Sequence, residues 1–204
     1  MSGLTMWEIE QELLAEGFCS VCGCDEAGAG PLAGPVYAAA VILPINESIP
    51  GLDDSKKLTE KKRELLFPVI QQKALAYAVA SVDAAEIDAT DILSARMKAM
   101  QLAIDALSIK PDFALVDGNR DKGRSSAILT PHRCIVKGDS LSASVAAASI
   151  LAKVSRDHFM LEMAKQYPEY AFEQHKGYGT KLHYEKIRTY GVSPIHRKTF
   201  LKKL

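Results

Sequence analysis

The chain has 204 residues, with 25 lysines and arginines against 25 aspartates and glutamates, so its formal net charge is zero. That balance excludes binding to nucleic acid through bulk charge, while leaving room for a basic patch beside an acidic one. Hydrophobic residues make up 48%, enough for one domain over 1–204 to bury a core without disulfides or a structural metal. The sequence contains no run of about 18 apolar residues that would span a membrane.

The first segment, Met1 to Gly17, carries Glu8, Glu10 and Glu16 among its apolar residues. A signal peptide needs a basic start and an unbroken apolar stretch, so cytoplasmic residence is expected. Residues 6–16 read as a short amphipathic helix, and 18–25 and 35–43 as two strands. The second strand, Pro35 to Leu43, is almost continuously apolar, as in a strand buried on both faces. Gly28, Gly30, Pro31 and Gly34 lie between them, predicting a hairpin with a glycine-built loop. Cys19 and Cys22 form a CxxC pair. No second ligand pair follows at zinc spacing, and the pair sits inside an expected strand rather than opening a helix. Together with Cys24 and Cys134 they read as reduced, largely buried thiols.

Thr59 or Ser55 caps a predicted helix over 60–73, followed by a strand over 75–83. The apolar stripe of Ile92, Ala95, Met97, Ala99, Leu102, Ala103 and Ala106 predicts a helix over 91–107. Phe113 to Val116 reads as a short strand ending at Asp117-Gly118-Asn119. Arg133 to Val136 reads as another, ending at Lys137-Gly138-Asp139. One long helix over 141–165 and a last helix over 180–190 complete the chain. A hairpin followed by alternating helices and strands predicts an α/β domain with a mixed sheet. The segment 171–204 is basic, with eight lysines and arginines against Glu173 and Glu185, and Tyr178, Tyr184 and Tyr190 are interleaved. A basic stretch with aromatics fits a nucleic-acid surface, although basic tails are also often merely solvated.

Three strand ends place a carboxylate beside glycine: Asp25-Glu26 before Gly28, Asp117 before Gly118, and Asp139 after Gly138. Such ends are where loops carry function. Acids from three segments that converge suit a hard divalent ion, and a pair of such ions clamps both oxygens of a phosphoryl transfer. The competing reading makes each acid a cap, with Asp139 at the N-cap of the 141–165 helix. Adjacent strand residues face opposite ways, so Asp25 and Glu26 share a site only if the strand ends or bulges there. Asp157 follows Asp139 by 18 residues, a rise of about 27 Å on an unbroken helix, and reads as a structural acid. Gly138-Asp139-Ser140-Leu141 spells the signature of GDSL-type esterases, with Ser140 as nucleophile. That motif sits mid-chain here, however, and no Asp-x-x-His follows. A non-catalytic nucleic-acid-binding module is the other alternative.

The run from Asp25-Glu26-Ala27-Gly28-Ala29-Gly30-Pro31-Leu32-Ala33-Gly34 to Pro35-Val36 resembles bacterial ribonuclease HII. The resemblance returns at Asp53-Ser55-Lys56-Lys57-Leu58, Val116-Asp117-Gly118, Lys137-Gly138-Asp139, Ala146 to Val154 and Arg156-Asp157. It ends at His175-Lys176-Gly177-Tyr178-Gly179-Thr180 and His196-Arg197. It implies a ribonuclease H-like fold: a mixed five-stranded sheet flanked by helices, with a helical, basic C-terminal extension from about residue 171 that binds substrate. It implies hydrolysis of the RNA strand of RNA–DNA hybrids and of single ribonucleotides in duplex DNA. Cleavage falls 5′ of the ribonucleotide, leaving 3′-hydroxyl and 5′-phosphate ends. Two Mg2+ or Mn2+ ions would be held by Asp25, Glu26, Asp117 and Asp139, in a monomer. A Gly-Arg-Gly loop that contacts the 2′-hydroxyl matches Gly28-Ala29-Gly30, the family's tyrosine matches Tyr178, and Lys56 is placed near a phosphate. Ala29 departs from the family pattern, where arginine stands between the glycines. Backbone contacts survive that change, whereas a side-chain contact to phosphate is lost and activity is expected to fall.

Overall fold

The computed structural model describes residues 6–119 and 128–201. Five strands run β1 (Val21–Ala27), β2 (Val36–Ile42), β3 (Ala76–Val82), β4 (Phe113–Asp117) and β5 (His132–Ile135). They form one sheet in the order β3-β2-β1-β4-β5. β1–β2 and β2–β3 are antiparallel, whereas β1–β4 and β4–β5 are parallel. This is the expected mixed five-stranded sheet. Its parallel half brings the C-terminal ends of β1, β4 and β5 to one edge, where the acids lie.

Both faces of the sheet are covered, which explains the unbroken apolar run of β2. Ala38, Ala40 and Ile42 pack with Met97 and Met100 of helix α4 (Ile92–Asp105). Ala39 and Val41 pack with Ala147 and Ile150 of helix α6 (Ala143–Gln166). β1 divides in the same way. Cys22 and Cys24 enter the α4 side, and Gly23 faces Ser144 and Val145 of α6. Cys19 is an exposed thiol, whereas Cys22 and Cys24 are buried. Burial pushes the Cys22 thiol up to about 12, which suits an inert core residue.

Helix α1 (Glu8–Ala15) and helix α2 (Glu60–Lys73) form as the periodicity predicts. The Thr59 hydroxyl caps α2, accepting from Lys62 N–H. A short helix α3 (Ala84–Ala89), capped by Asp83, precedes α4 and was not expected. The predicted long helix over 141–165 forms as α6, which starts two residues later than expected, and a separate turn precedes it. A single turn, α5 (Gly138–Leu141), ends at an extended Ser142, whose hydroxyl then caps α6 by accepting from Val145 N–H. Asp139 therefore sits inside a separate turn and is not the N-cap of the long helix. After α6 come a 3-10 turn (Pro168–Tyr170), α7 (Phe172–His175), α8 (Lys181–Tyr190) and a second 3-10 turn (Lys198–Leu201). This segment packs Tyr170, Phe172 and Ile187 against Met160 of α6 and Leu32 and Ala33 of the glycine loop. Lys202 and Lys203 lie outside the described residues.

Gly23 is where the fold is tightest. A Cβ there would lie 2.1 Å from the Ser144 carbonyl carbon and 2.2 Å from Val145 N. Backbone on both sides leaves no flexible atom to yield. Gly23→Ala is expected to destabilise the protein by about 3 kcal/mol or more, at or above the usual overpacking range. Urea unfolding measures this, and an unchanged midpoint would show that α6 can move off the sheet.

Candidate metal centre and nucleic-acid interface

Register places the acids. Cys24 pairs with Val116, so Asp25 and Asp117 follow side by side on neighbouring strands. Leu115 packs with Val145 of α6 and Val116 packs on the α4 side. By alternation, Asp25 and Asp117 project toward α6. Asp139 arrives on α5, just past β5. One carboxylate oxygen from each of the three lies within 4.8 Å of the others.

Each carboxylate is held by local backbone or a neighbouring base. Glu26 N–H donates to Asp25 Oδ1 at 2.7 Å, and Gly138 N–H donates to Asp117 Oδ1 at 2.7 Å. Lys137 takes a left-handed φ of 59° to start α5. Lys56 Nζ donates to Asp139 Oδ2 at 3.3 Å. Asp25 and Asp139 are each 3% exposed. Burial, then the charges of Glu26 and Asp117, hold the Asp25 carboxyl well above its usual range. Burial and Asp117 raise Asp139, with Lys56 opposing. For Lys56, burial is outweighed by Asp25 and Asp139, so its pKa is raised. Three hard oxygen donors crowded together with excess negative charge fit a divalent cation.

Glu26 takes a different position. β1 stays paired through Ala27, with Asp25 opposite Ala39 and Glu26 opposite Ala38. The strand neither ends nor bulges between the two acids. Glu26 therefore points to the α4 face, where Arg96 Nη2 meets Glu26 Oε1 at 2.6 Å. Arg96 was not singled out in the sequence, because nothing local connects it to β1.

The glycine loop is shaped by two fully buried arginines, each 0% exposed. Arg197 donates to the carbonyls of Gly34, Ala29 and Gly28 at 2.9, 3.0 and 2.6 Å. Arg156 donates to the carbonyls of Pro35, Ala33 and Lys176. Gly28 has φ +94°, and a Cβ there would lie 2.1 Å from Arg156 Nε, whereas a Cβ on Gly30 meets nothing within 4 Å. Packing thus requires glycine at 28 and leaves 30 open to an approaching ligand. The Tyr178 ring lies 5.7 Å from the Arg156 guanidinium and is 43% exposed, so it edges the loop from the surface. Asp157 pairs with Lys153 at 2.6 Å and acts as a structural acid. The Ser140 hydroxyl receives a hydrogen bond from Lys57 Nζ at 3.0 Å, and that partner, unlike an esterase's histidine, is no general base.

Beneath Tyr178, three histidines form a neutral network. Ser193 N–H donates to His196 Nδ1 at 2.9 Å, which leaves the proton on His196 Nε2. That atom lies 3.0 Å from His183 Nε2, and His183 Nδ1 lies 2.9 Å from the Tyr178 carbonyl. Both contacts are satisfied when His196 donates to His183 and His183 donates to Tyr178. His175 follows the same logic, with Nδ1 accepting from Gly177 N–H and Nε2 donating to the Tyr170 carbonyl.

The crystal structure of ribonuclease H2 from Pyrococcus horikoshii aligns with a TM-score of 0.74 and 30% identity, covering 89% of this chain and 93% of that one. Sheet order, covering helices and clustered acids thus define a ribonuclease H-like hydrolase. The family model for ribonuclease HII matches residues 22–203. Ribonuclease HII of Endomicrobium trichonymphae is 53% identical over 195 residues, 96% of this chain and 91% of its own. That of Desulfitobacterium hafniense (strain DSM 10664 / DCB-2) is 52% identical over 191 residues, 94% of this chain and 72% of its own. The chain belongs to the ribonuclease HII family and is an endoribonuclease of that type. Among the described residues, no helix is long and apolar enough to cross a membrane.

The histidine network predicts acid sensitivity. Burial, the leading cause for each, pushes His183 and His196 down to about 4, from an ordinary 6.5. The unfolded chain therefore binds more protons between those values. The stability these residues contribute is full above about pH 6.5 and lost as pH falls toward 4. Urea midpoints measured across that window should fall with pH. The slope should be shallower in His196→Gln, and an equal slope would place the acid sensitivity elsewhere.

Proposed function

We propose that this endoribonuclease cleaves the RNA strand of RNA–DNA hybrids and single ribonucleotides embedded in duplex DNA, on the 5′ side of the ribonucleotide. The observation that carries the reading is the convergence of Asp25, Asp117 and Asp139 within 4.8 Å at the edge where three parallel strands end. These three would hold two Mg2+ or Mn2+ ions, with Glu26 as the fourth carboxylate, kept in reserve by Arg96. When bound, such ions lower the pKa of an attacking water and stabilise the leaving 3′-oxygen.

The chain's own residues do the rest. Asp25 and Asp117 stay in place because sheet register and backbone N–H donors fix them, so little reorganises on binding. Lys56 has a side chain 72% exposed, with its ammonium at Asp139, and is positioned to meet a phosphate. The loop from Gly28 to Gly30 offers backbone to the 2′-hydroxyl, the group that separates RNA from DNA. Arg197 engages two of its carbonyls, which turns the loop into a fixed surface. Gly30 leaves room for close approach. Tyr178 stacks on the adjoining sugar or base, a contact worth roughly 1–3 kcal/mol. The basic segment after residue 171 carries Tyr178 and borders the loop, which supports a substrate-binding role for it within a single catalytic domain. The same reading, following the family resemblance, takes the enzyme to act as a monomer in the cytoplasm.

Asp25→Asn and Asp117→Asn should each remove nearly all cleavage of a duplex carrying one ribonucleotide, with circular dichroism unchanged. The loss should exceed the roughly 10–100-fold cost of removing a mere supporting partner. Near-native rates in both would sink the assignment.

Ala29→Arg addresses the departure from the family pattern. Arg197 meets only the Ala29 carbonyl, so the loop's shape does not depend on the side chain there. A charge-assisted contact to phosphate contributes about 1.5–3 kcal/mol. The variant should therefore gain about ten- to a hundredfold in kcat/KM at low salt, and the gain should shrink as salt rises. Equal rates at every salt concentration would show that another base already covers that phosphate.

A further inference from the structure

Arg96 lies in the second turn of α4, outside the acidic cluster, and its side chain is only 22% exposed. It touches Glu26 at a single point, Nη2 to Oε1 at 2.6 Å. A fork-to-fork pairing would satisfy two atoms on each side. Here Arg96 Nε and Glu26 Oε2 are both buried and have no hydrogen-bond partner among the described residues. The pleat of β1 directs Glu26 toward the α4 face, and this incomplete ion pair with Arg96 fixes its carboxylate there. Glu26 nevertheless directly follows Asp25 in β1 and donates its backbone N–H to Asp25 Oδ1 at 2.7 Å, so its carboxyl lies close to the cluster.

We propose that Arg96 is a positioning residue that holds Glu26 away from the three-aspartate cluster and thereby weakens the affinity of the substrate-free enzyme for divalent cations. The inference rests on the metal-site reading above. Cation affinity at oxygen sites follows the charge of the ligands. Fully ionised, the four acids would carry four negative charges, of which Lys56 and Arg96 offset two. Arg96 thus acts twice, by cancelling one charge and by occupying the oxygen that would otherwise turn toward an ion. Glu26 Oε2, buried and unpartnered, is the atom left to respond when the guanidinium is removed.

Calorimetric titration of Mn2+ into substrate-free protein tests this without reading activity. Arg96→Gln removes the charge while keeping a donor for Glu26, and should bind Mn2+ about tenfold more tightly than the native chain. The double variant Arg96→Gln/Glu26→Gln restores the native charge balance with an amide pair of the same shape, and should return to within about threefold of native affinity. If instead Arg96 orients Glu26 as a resident ligand, Arg96→Gln binds no more tightly than native and the double variant loses about 10–100-fold. Either of those results overturns the proposal. The double variant leaves no buried charge unpaired, so it decides the question even if Arg96→Gln fails to fold. Asp25→Asn in the same titration separates the two layers. Retained binding there would refute the metal site itself, whereas lost binding with a native-like Arg96→Gln would refute only the role of Arg96.

Discussion

Two carboxylates side by side on neighbouring strands repel each other, and burial makes that repulsion stronger. Asp25 and Asp117 are in this position because Cys24 pairs with Val116, and both side chains follow the same pleat. Hydrogen bonds from Glu26 N–H and Gly138 N–H hold the acids in place and cannot neutralise them. The sheet therefore gathers acids at one edge whose mutual repulsion is relieved by a bound proton or a divalent cation. The surrounding features respond to that constraint: Lys56 leans on Asp139, Glu26 is turned to the far face, and Arg96 meets it there.

A second electrostatic arrangement lies on the other side of the loop. Arg156 and Arg197 are fully buried, and the partners that hold them are backbone carbonyls. Burial, with the nearby charge of Arg156, brings Arg197 down to about 9. A buried guanidinium is tolerable only when its donors are satisfied. Carbonyls of the glycine loop satisfy them, so the loop and the arginines stabilise each other. Leu32 N–H donating to the Gly177 carbonyl and Arg197 N–H donating to the Leu32 carbonyl complete a seam between the loop and the C-terminal segment. The acidic cluster and the glycine loop thus sit on separate supports, the first on sheet register and the second on buried cations.

The sequence made the first support legible and hid much of the second. Helix α2 was readable from its cap and period because both signals are local. The three aspartates stood out because each closes a strand beside a glycine. The resemblance carried the loop and Tyr178. The long helix α6 was legible to within two residues, whereas the separate turn before it was not, because only the extended backbone of Ser142 marks that boundary. Glu26's turn toward α4 depends on β1 staying regular to Ala27, whereas the glycines that follow pointed to an earlier end. Arg156 and Arg197 had no visible partners, since carbonyl acceptors leave no trace in residue identity. His175 and His196 entered only through the resembling motifs and His183 not at all, since nothing in residue identity shows the burial that keeps them neutral.

Arg197 and Gly28, joined by one hydrogen bond, are 169 positions apart in the chain. Every carboxylate of the cluster precedes α6, while Arg197 comes after α8. During synthesis the segments that bear the acids therefore emerge before the arginine that clasps the glycine loop. The loop's carbonyls have to wait for a side chain near the far end of the sequence before their hydrogen bonds can close.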